Sequence, residues 1–311
     1  MKYGFGVDLG GTTTKIAYFD REGTLLHKWE IPTDTGNGGA AILPDIAASL
    51  KAFIRENRVD QAELLGIGIG VPGAVDDAGV VYGCDNIGWG TVAVKDTLSG
   101  LTGLPVAVGN DANVAALGES WMGGAKDFRS MVMVTLGTGV GGGIVTDGQL
   151  MVGAGGGAGE IGHMVLNRQE TERCSCGRYG CVEQYCSATG IVRMARRMLE
   201  ASDMPSCLRE TEKLTAKAVF DGAKAGDRLA SAVADQFFTY MGEFLTNICC
   251  VIAPEAILLG GGVSKAGDFL LEGVQEAFGR FVYHAHRDTR FALATLGNDA
   301  GAYGAFKLIL G

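Results

Sequence analysis

The sequence predicts an α/β protein built from two similar halves, on three observations. Glycine supplies 50 of 311 residues, more than twice its usual share of roughly 7%. Many of these glycines fall just after short apolar runs, where strands end. The plan of residues 4–32, GFGVDLGGTTTKIAYFDREGTLLHKWEIP, returns at residues 131–153, MVMVTLGTGVGGGIVTDGQLMVG.

Taken in order, the first segment reads as an apolar strand, a glycine turn at Gly10 and Gly11, a second strand, a turn at Asp20 to Gly23, and a third strand. Ala40 to Arg58 then has the apolar spacing of a helix. LLGIGIGVPG and LPVAVGND read as buried strands ending in turns. The second meander runs into Leu136-Gly137, turns, passes through Ile144 and Val145, and turns again at Asp147-Gly148. A third glycine run, AILLGGGVS at 256–264, also follows an apolar strand. Such turns suit backbone approaching phosphates, because glycine permits positive φ and close approach. Neither a P-loop nor a dinucleotide fingerprint fits, since here the glycines join strand to strand rather than opening a helix.

DLGGTTTK at 8–15 and LGTGVGGG at 136–143 resemble the actin-like, hexokinase-type ATPases. The resemblance implies duplicated ribonuclease H-like α/β domains closing over a nucleotide in an interdomain cleft. It places a small domain at about 1–110 and a large one at 111–299. A C-terminal helix, Ala300 to Leu310 within residues 300–311, would return to the small domain.

Bulk composition excludes several classes. Hydrophobic residues at 47% and charged ones at 20% are globular values. A net charge of -9 without a dense basic patch speaks against nucleic acid as a partner. The start, MKYGFGVDLGGT, lacks a signal peptide's cationic and apolar regions. Residues 248–263, the most apolar later stretch, are interrupted by Pro254, Glu255 and glycines, too short and polar to span a bilayer. A cytoplasmic protein is expected. In a reducing compartment its eight cysteines are better read as metal ligands or buried hydrophobes than as disulfides.

Three cysteines crowd into CSCGRYGC at 174–181, downstream of GAGEIGH. His163, Cys174, Cys176 and Cys181 form an H-x10-C-x-C-x4-C set, one imidazole and three thiolates, suited to tetrahedral zinc. Four protein ligands make such a knuckle structural rather than catalytic. Cys174 and Cys176 are too close in sequence for an unstrained bridge. Cys186 is a spare candidate; Cys84, Cys207, Cys249 and Cys250 read as ordinary core residues. His163 can bind metal through one ring nitrogen and face a substrate hydroxyl with the other, with Glu160 and Glu183 nearby.

GEIGH and CSCGRYGCVE, with DLGGT, VPGAV at 71–75, GNDANVAALGE at 109–119 and LGTGVGGG, resemble the ROK family of sugar kinases and sugar-responsive repressors over nearly the whole chain. Within it the kinase branch, and the bacterial glucokinases above all, is most similar. The repressors carry an extra N-terminal DNA-binding domain, for which a first strand at about Tyr3 leaves no room.

The resemblance implies ATP-dependent phosphorylation of the 6-hydroxyl of glucose. A kinase for N-acetylmannosamine, N-acetylglucosamine, allose or fructose is the alternative, and a non-catalytic sugar sensor a further one. Asp111 follows the apolar strand Val106 to Val108 and opens a helix. On residues alone it reads as a helix N-cap, worth about 1 kcal/mol; the resemblance makes it the general base. It also implies that Gly73, Asn110, Asp111, Glu160, His163 and Glu183 hold the sugar. Gly10, Gly11 and Thr12 would form one phosphate loop and Gly137, Thr138 and Gly139 another, with Gly261 and Gly262 near adenosine and Asp8 facing Mg²⁺ through water. Lys15 is open between a solvated lysine and a phosphate contact, and Trp89 between shaping the pocket and packing. ATP is the expected donor, with polyphosphate open, and a homodimer or dimer of dimers the expected assembly.

Overall fold

The computed structural model describes residues 1–311. In chain order its elements are β1 (Tyr3–Leu9), β2 (Thr13–Asp20), β3 (Leu25–Pro32), a one-turn α1 (Gly36–Gly39), α2 (Ile42–Glu56), β4 (Leu64–Val71), β5 (Val80–Cys84), β6 (Trp89–Ala93), α3 (Val94–Thr102), β7 (Val106–Asn110) and α4 (Asp111–Met122). There follow β8 (Met131–Leu136), β9 (Val140–Thr146), β10 (Gln149–Leu150), α5 (Glu183–Cys186), α6 (Ala188–Ala201), α7 (Ala216–Lys224), α8 (Arg228–Ile252), β11 (Ala256–Gly260), α9 (Asp268–Phe281), β12 (Arg290–Leu293) and α10 (Ala300–Leu310).

Two five-stranded sheets carry the fold, ordered β3-β2-β1-β4-β7 and β10-β9-β8-β11-β12. With the β5-β6 hairpin set aside as an insertion, each sheet places the strands of its half in the order third, second, first, fourth, fifth. The repeat read from the glycine turns is therefore a repeat of topology. β1 pairs antiparallel with β2 and parallel with β4, and β4 pairs parallel with β7; in the second half β11 pairs parallel with both β8 and β12. The third strand of the second meander is much shorter than its counterpart, two residues against eight.

The chain divides into two units, Met1–Asp127 with Gly143–Gly159 and Thr295–Gly311, and Phe128–Gly142 with Glu160–Ala294. In the first, one sheet face presents Phe5, Val7, Ile67 and Ile69 to the stripe Ile42, Ile46, Leu50 and Ile54 of α2, the i, i+4 spacing that puts apolar residues on one side of a helix. Trp89 belongs to this core, 4% exposed, with its indole N–H donating to the Gly39 carbonyl at 3.2 Å; its role is packing. The opposite face receives α10, where Phe306 stacks on Phe19 with ring centroids 5.0 Å apart. Here glycine is required for closeness: a Cβ on Gly6 or Gly68 would run into the carbonyls of Ala302 and Ala305, and one on Gly304 into that of Val114.

A buried carboxylate closes this packing. Glu119, fully buried on α4, accepts the amides of Gly124 at 2.8 Å, Thr295 at 3.0 Å and Leu296 at 2.8 Å. Hydrogen bonds to a charged group are stronger than neutral ones, and removing the acceptor strands buried donors. Glu119→Ala is expected to destabilise the protein by about 3 kcal/mol, read as a lowered urea midpoint at unchanged slope.

In the second unit the long α8 lays Val233, Phe237, Met241, Phe244 and Ile248 into the core and packs on α9. Cys249 lies in that core, but Cys250 and Cys207 are exposed. Cys250 follows Cys249 directly on α8, so helical geometry turns it off the apolar stripe. No helix is long and apolar enough to cross a membrane.

Candidate active site

In the first unit the turn after β1 is braced from below. The Gly10 amide donates to the Thr13 carbonyl at 3.2 Å, and the Thr33 hydroxyl donates to the Gly10 carbonyl at 2.8 Å, while Gly11 and Thr12 remain exposed. Asp8, next to last in β1, is partly buried, and burial raises its carboxyl above the ordinary range against the opposing pull of Lys15. The Lys15 ammonium lies 3.5 Å from Asp8 and donates to the Asn298 carbonyl at 3.2 Å. Lys15 is thus folded over Asp8 rather than turned out to solvent.

β7 ends in Asn110, and its side chain settles the Asn110-Asp111 junction. The Oδ1 accepts the Asn113 amide at 3.1 Å, capping α4, and the Nδ2 donates to the Gly73 carbonyl at 3.1 Å. The cap role open to Asp111 therefore belongs to Asn110. Asp111 is the first helical residue, exposed, with one carboxylate oxygen accepting the Ala112 amide at 2.8 Å. Gly73, Asn110 and Asp111 are brought together by these contacts.

In the second unit the turn after β8 is anchored by the segment preceding and opening α6. The Ala188 amide donates to the Gly137 carbonyl at 2.8 Å, and the Thr189 hydroxyl to the Thr138 carbonyl at 2.7 Å. Gly261 comes beside this turn, because Gly260 pairs with Thr135 across β11 and β8. Among Gly10, Gly11, Gly137, Gly139, Gly261 and Gly262, only Gly261 takes a positive φ, +83°. The expectation that these loops need glycine for left-handed backbone is corrected accordingly. At Gly10 and Gly139 the constraint is space, and at Gly137 and Gly262 a side chain would meet nothing within 4 Å. A cavity of about 330 Å³ adjoins Gly262, walled by Thr215, Phe220, Lys224, Val263 and Lys265. Its α7 wall carried no signal in the sequence.

His163, Cys174, Cys176 and Cys181 converge, with their ligand atoms all within 4.8 Å of one another. The segment folds as a small hairpin: the Cys174 amide donates to the Arg178 carbonyl at 2.8 Å and the Gly177 amide to the Cys174 carbonyl at 2.9 Å. The Cys176 and Cys181 sulfurs are 3.6 Å apart, and His163 Nδ1 is 3.8 Å from the Cys174 sulfur. Zinc–sulfur bonds of about 2.3 Å in a tetrahedron require edges of roughly 3.8 Å, so the donor set fits zinc in number, chemistry and spacing. Burial pushes the Cys176 thiol up, but the Arg178 amide and guanidinium bring it down, to about 7. Cys181, fully buried, is pushed up to about 12 by burial and by its bond with Cys176. All eight cysteines are free thiols. Cys186 is fully buried and lies outside the cluster. The other nitrogen of His163, Nε2, faces Glu160 at 3.9 Å.

The connection from His163 to Cys174 is held by Glu170, whose buried carboxylate meets Arg193 at 2.8 Å, Arg197 at 3.0 Å and the Tyr185 hydroxyl at 2.6 Å. Burial alone would raise this carboxyl, but the donors from Arg197 and Tyr185 hold it well below the usual range. A depressed carboxyl contributes stability that is complete above its unfolded pKa of 4.5 and is lost as pH falls through the folded value. The stability gap between the wild type and Glu170→Gln, measured by urea unfolding, should be constant from pH 7 to 5 and narrow below 4.5.

The model of the ROK family matches residues 4–311. The chain is 43% identical over 309 residues to a glucokinase of Halalkalibacterium halodurans, covering 98% of this chain and 94% of that protein. Among solved structures, a ROK family glucokinase of Streptomyces griseus in complex with glucose and AMPPNP superposes with a TM-score of 0.77 at 31% identity, covering 98% of each chain. A ROK family transcriptional regulator superposes with a TM-score of 0.85 at 27% identity, covering 99% of this chain and 78% of that one. The chain belongs to the ROK family. It has the ROK sugar-kinase form of the actin-like α/β ATPase fold, with a cysteine–histidine cluster compatible with zinc.

Proposed function

We propose that this protein is an ATP-dependent glucokinase. The observation carrying the proposal is the 43% identity to a glucokinase along 98% of the chain; the locked Asn110-Asp111 junction supports it. Phosphoryl transfer needs a positioned acceptor, a group to take its proton and charge around the transferred phosphoryl. Asp111 takes the proton of the glucose 6-hydroxyl as that oxygen bonds to the γ-phosphorus and the bond from phosphorus to the ADP oxygen breaks. Gly73, Asn110, Glu160, His163 and Glu183 hold the remaining hydroxyls.

On the donor side, Gly10, Gly11, Thr12, Gly137, Thr138 and Gly139 receive the phosphates, and Gly261 and Gly262 adjoin the adenosine. Asp8 is suited to hold Mg²⁺ through water, an ion that supplies positive charge where negative charge accumulates. Lys15, 3.5 Å away, opposes the rise that burial imposes on the Asp8 carboxyl. His163, Cys174, Cys176 and Cys181 would hold zinc as a closed, structural site.

A sugar sensor is the second reading, favoured by the likeness to a transcriptional regulator. ADP release with Mg-ATP should be measured against glucose, mannose, fructose, allose, N-acetylglucosamine and N-acetylmannosamine. Preference for glucose is the expected result. Preference for another sugar would change the substrate and keep the reaction. Glucose binding without turnover of any sugar would replace the kinase by the sensor.

A further inference from the structure

Both carboxylate oxygens of Glu183 are engaged within the second unit. Oε2 accepts the Val140 amide at 3.2 Å and fills the space a Gly139 side chain would need. Oε1 accepts the Ser175 hydroxyl at 2.8 Å, with the Cys174 thiol 3.7 Å away. One carboxylate thus touches the loop after β8 on one side and the cysteine hairpin on the other. Ser175 stands between the metal-ligand candidates Cys174 and Cys176, so its place is fixed by the hairpin itself.

We infer that Ser175 is a positioning residue: it holds the Glu183 carboxylate against the Val140 amide, and thereby ties the shape of the 137–140 loop to the order of the cysteine hairpin. The inference rests on reading residues 137–139 as a phosphate loop. A carboxylate beside such a loop is a liability, because a loose anion repels incoming phosphate. Donors from Ser175 and Val140 fix its rotamer and partly neutralise its charge. A carboxylate offers about four acceptor positions, so this engagement leaves capacity for a sugar hydroxyl. Without the Ser175 hydroxyl, Glu183 is free to swing, and the Val140 amide loses a charged acceptor.

The test is Ser175→Ala in the zinc-loaded protein, with Ser175→Thr to restore the hydroxyl. Zinc content, calorimetric affinities for AMPPNP and for glucose, and hydrogen exchange at the Val140 amide are measured. The alanine variant should keep its zinc, bind AMPPNP roughly tenfold more weakly, the size of one hydrogen bond to a charged group, and exchange Val140 faster. Glucose, which Glu183 also holds, should bind more weakly too, and the threonine variant should recover every readout. Unchanged AMPPNP affinity and Val140 exchange in the alanine variant overturn the inference while leaving the kinase reading intact. A loss confined to glucose overturns it as well, by making Glu183 a sugar ligand with no part in the loop. Failure of the wild-type protein to bind AMPPNP would sink the kinase reading and this inference together.

Discussion

Asp111→Asn is expected to lower kcat for hexose phosphorylation by a factor of roughly 10² to 10⁴, the usual worth of a positioned general base. Glucose affinity, zinc content and melting temperature should stay near wild type. The clean separation is a consequence of Asn110. Because Asn110 supplies the cap by accepting the Asn113 amide, α4 does not depend on Asp111 for its first turn. The amide oxygen of asparagine can still accept from Ala112, as the carboxylate oxygen does at 2.8 Å. What the substitution removes is the capacity to take a proton, together with a favourable charge near the helix N-terminus worth about 0.3–1 kcal/mol. Steady-state kinetics with glucose and Mg-ATP decide it: a kcat within threefold of wild type rejects Asp111 as the base.

Removing the metal should have the largest effect on folding. Native protein is expected to carry about one zinc per chain, and closing such a site contributes on the order of 10 kcal/mol to ordering its loop. Cys181→Ser, or a strong chelator under reducing conditions, should therefore abolish the cooperative melt of the hairpin. Cys181 is fully buried, so no solvent donor can replace its thiolate. The preceding connection is held independently, through Glu170 and its arginines, and should keep its amide protection without metal. Metal analysis alongside scanning calorimetry checks both statements; native protein without zinc, or a Cys181→Ser melt indistinguishable from wild type, counts against the site.

Much of this was legible in the sequence because its signals are local. The strand meanders announce themselves by apolar runs that stop at glycines, and the four metal-ligand candidates lie within residues 163–181. The unread parts depend on contacts between distant segments. Nothing adjacent to Glu119 says that its carboxylate will accept amides from residues 295 and 296. Gly6 and Gly68 look like ordinary strand glycines until α10 arrives against them. The glycines of the turns after β1, β8 and β11 do stand at strand ends, but most need room or an open approach rather than left-handed backbone. The sequence places Glu183 near His163, but its engagement with Ser175 and Val140 has no sequence signature.

The placement of α10 bears on how the chain can be made. The first unit includes Thr295–Gly311, and its glycine-lined sheet face is shaped to receive the α10 backbone. Domains usually mature in the order in which they leave the ribosome, N-terminal first. Here the unit that starts first cannot finish first: β1 to β7 must wait, one apolar face uncovered, until the whole of the second unit has been synthesised. During that interval Phe19, Ala17 and their neighbours lack the cover that α10 gives them in the finished fold and stay open to whatever binds nascent apolar surface.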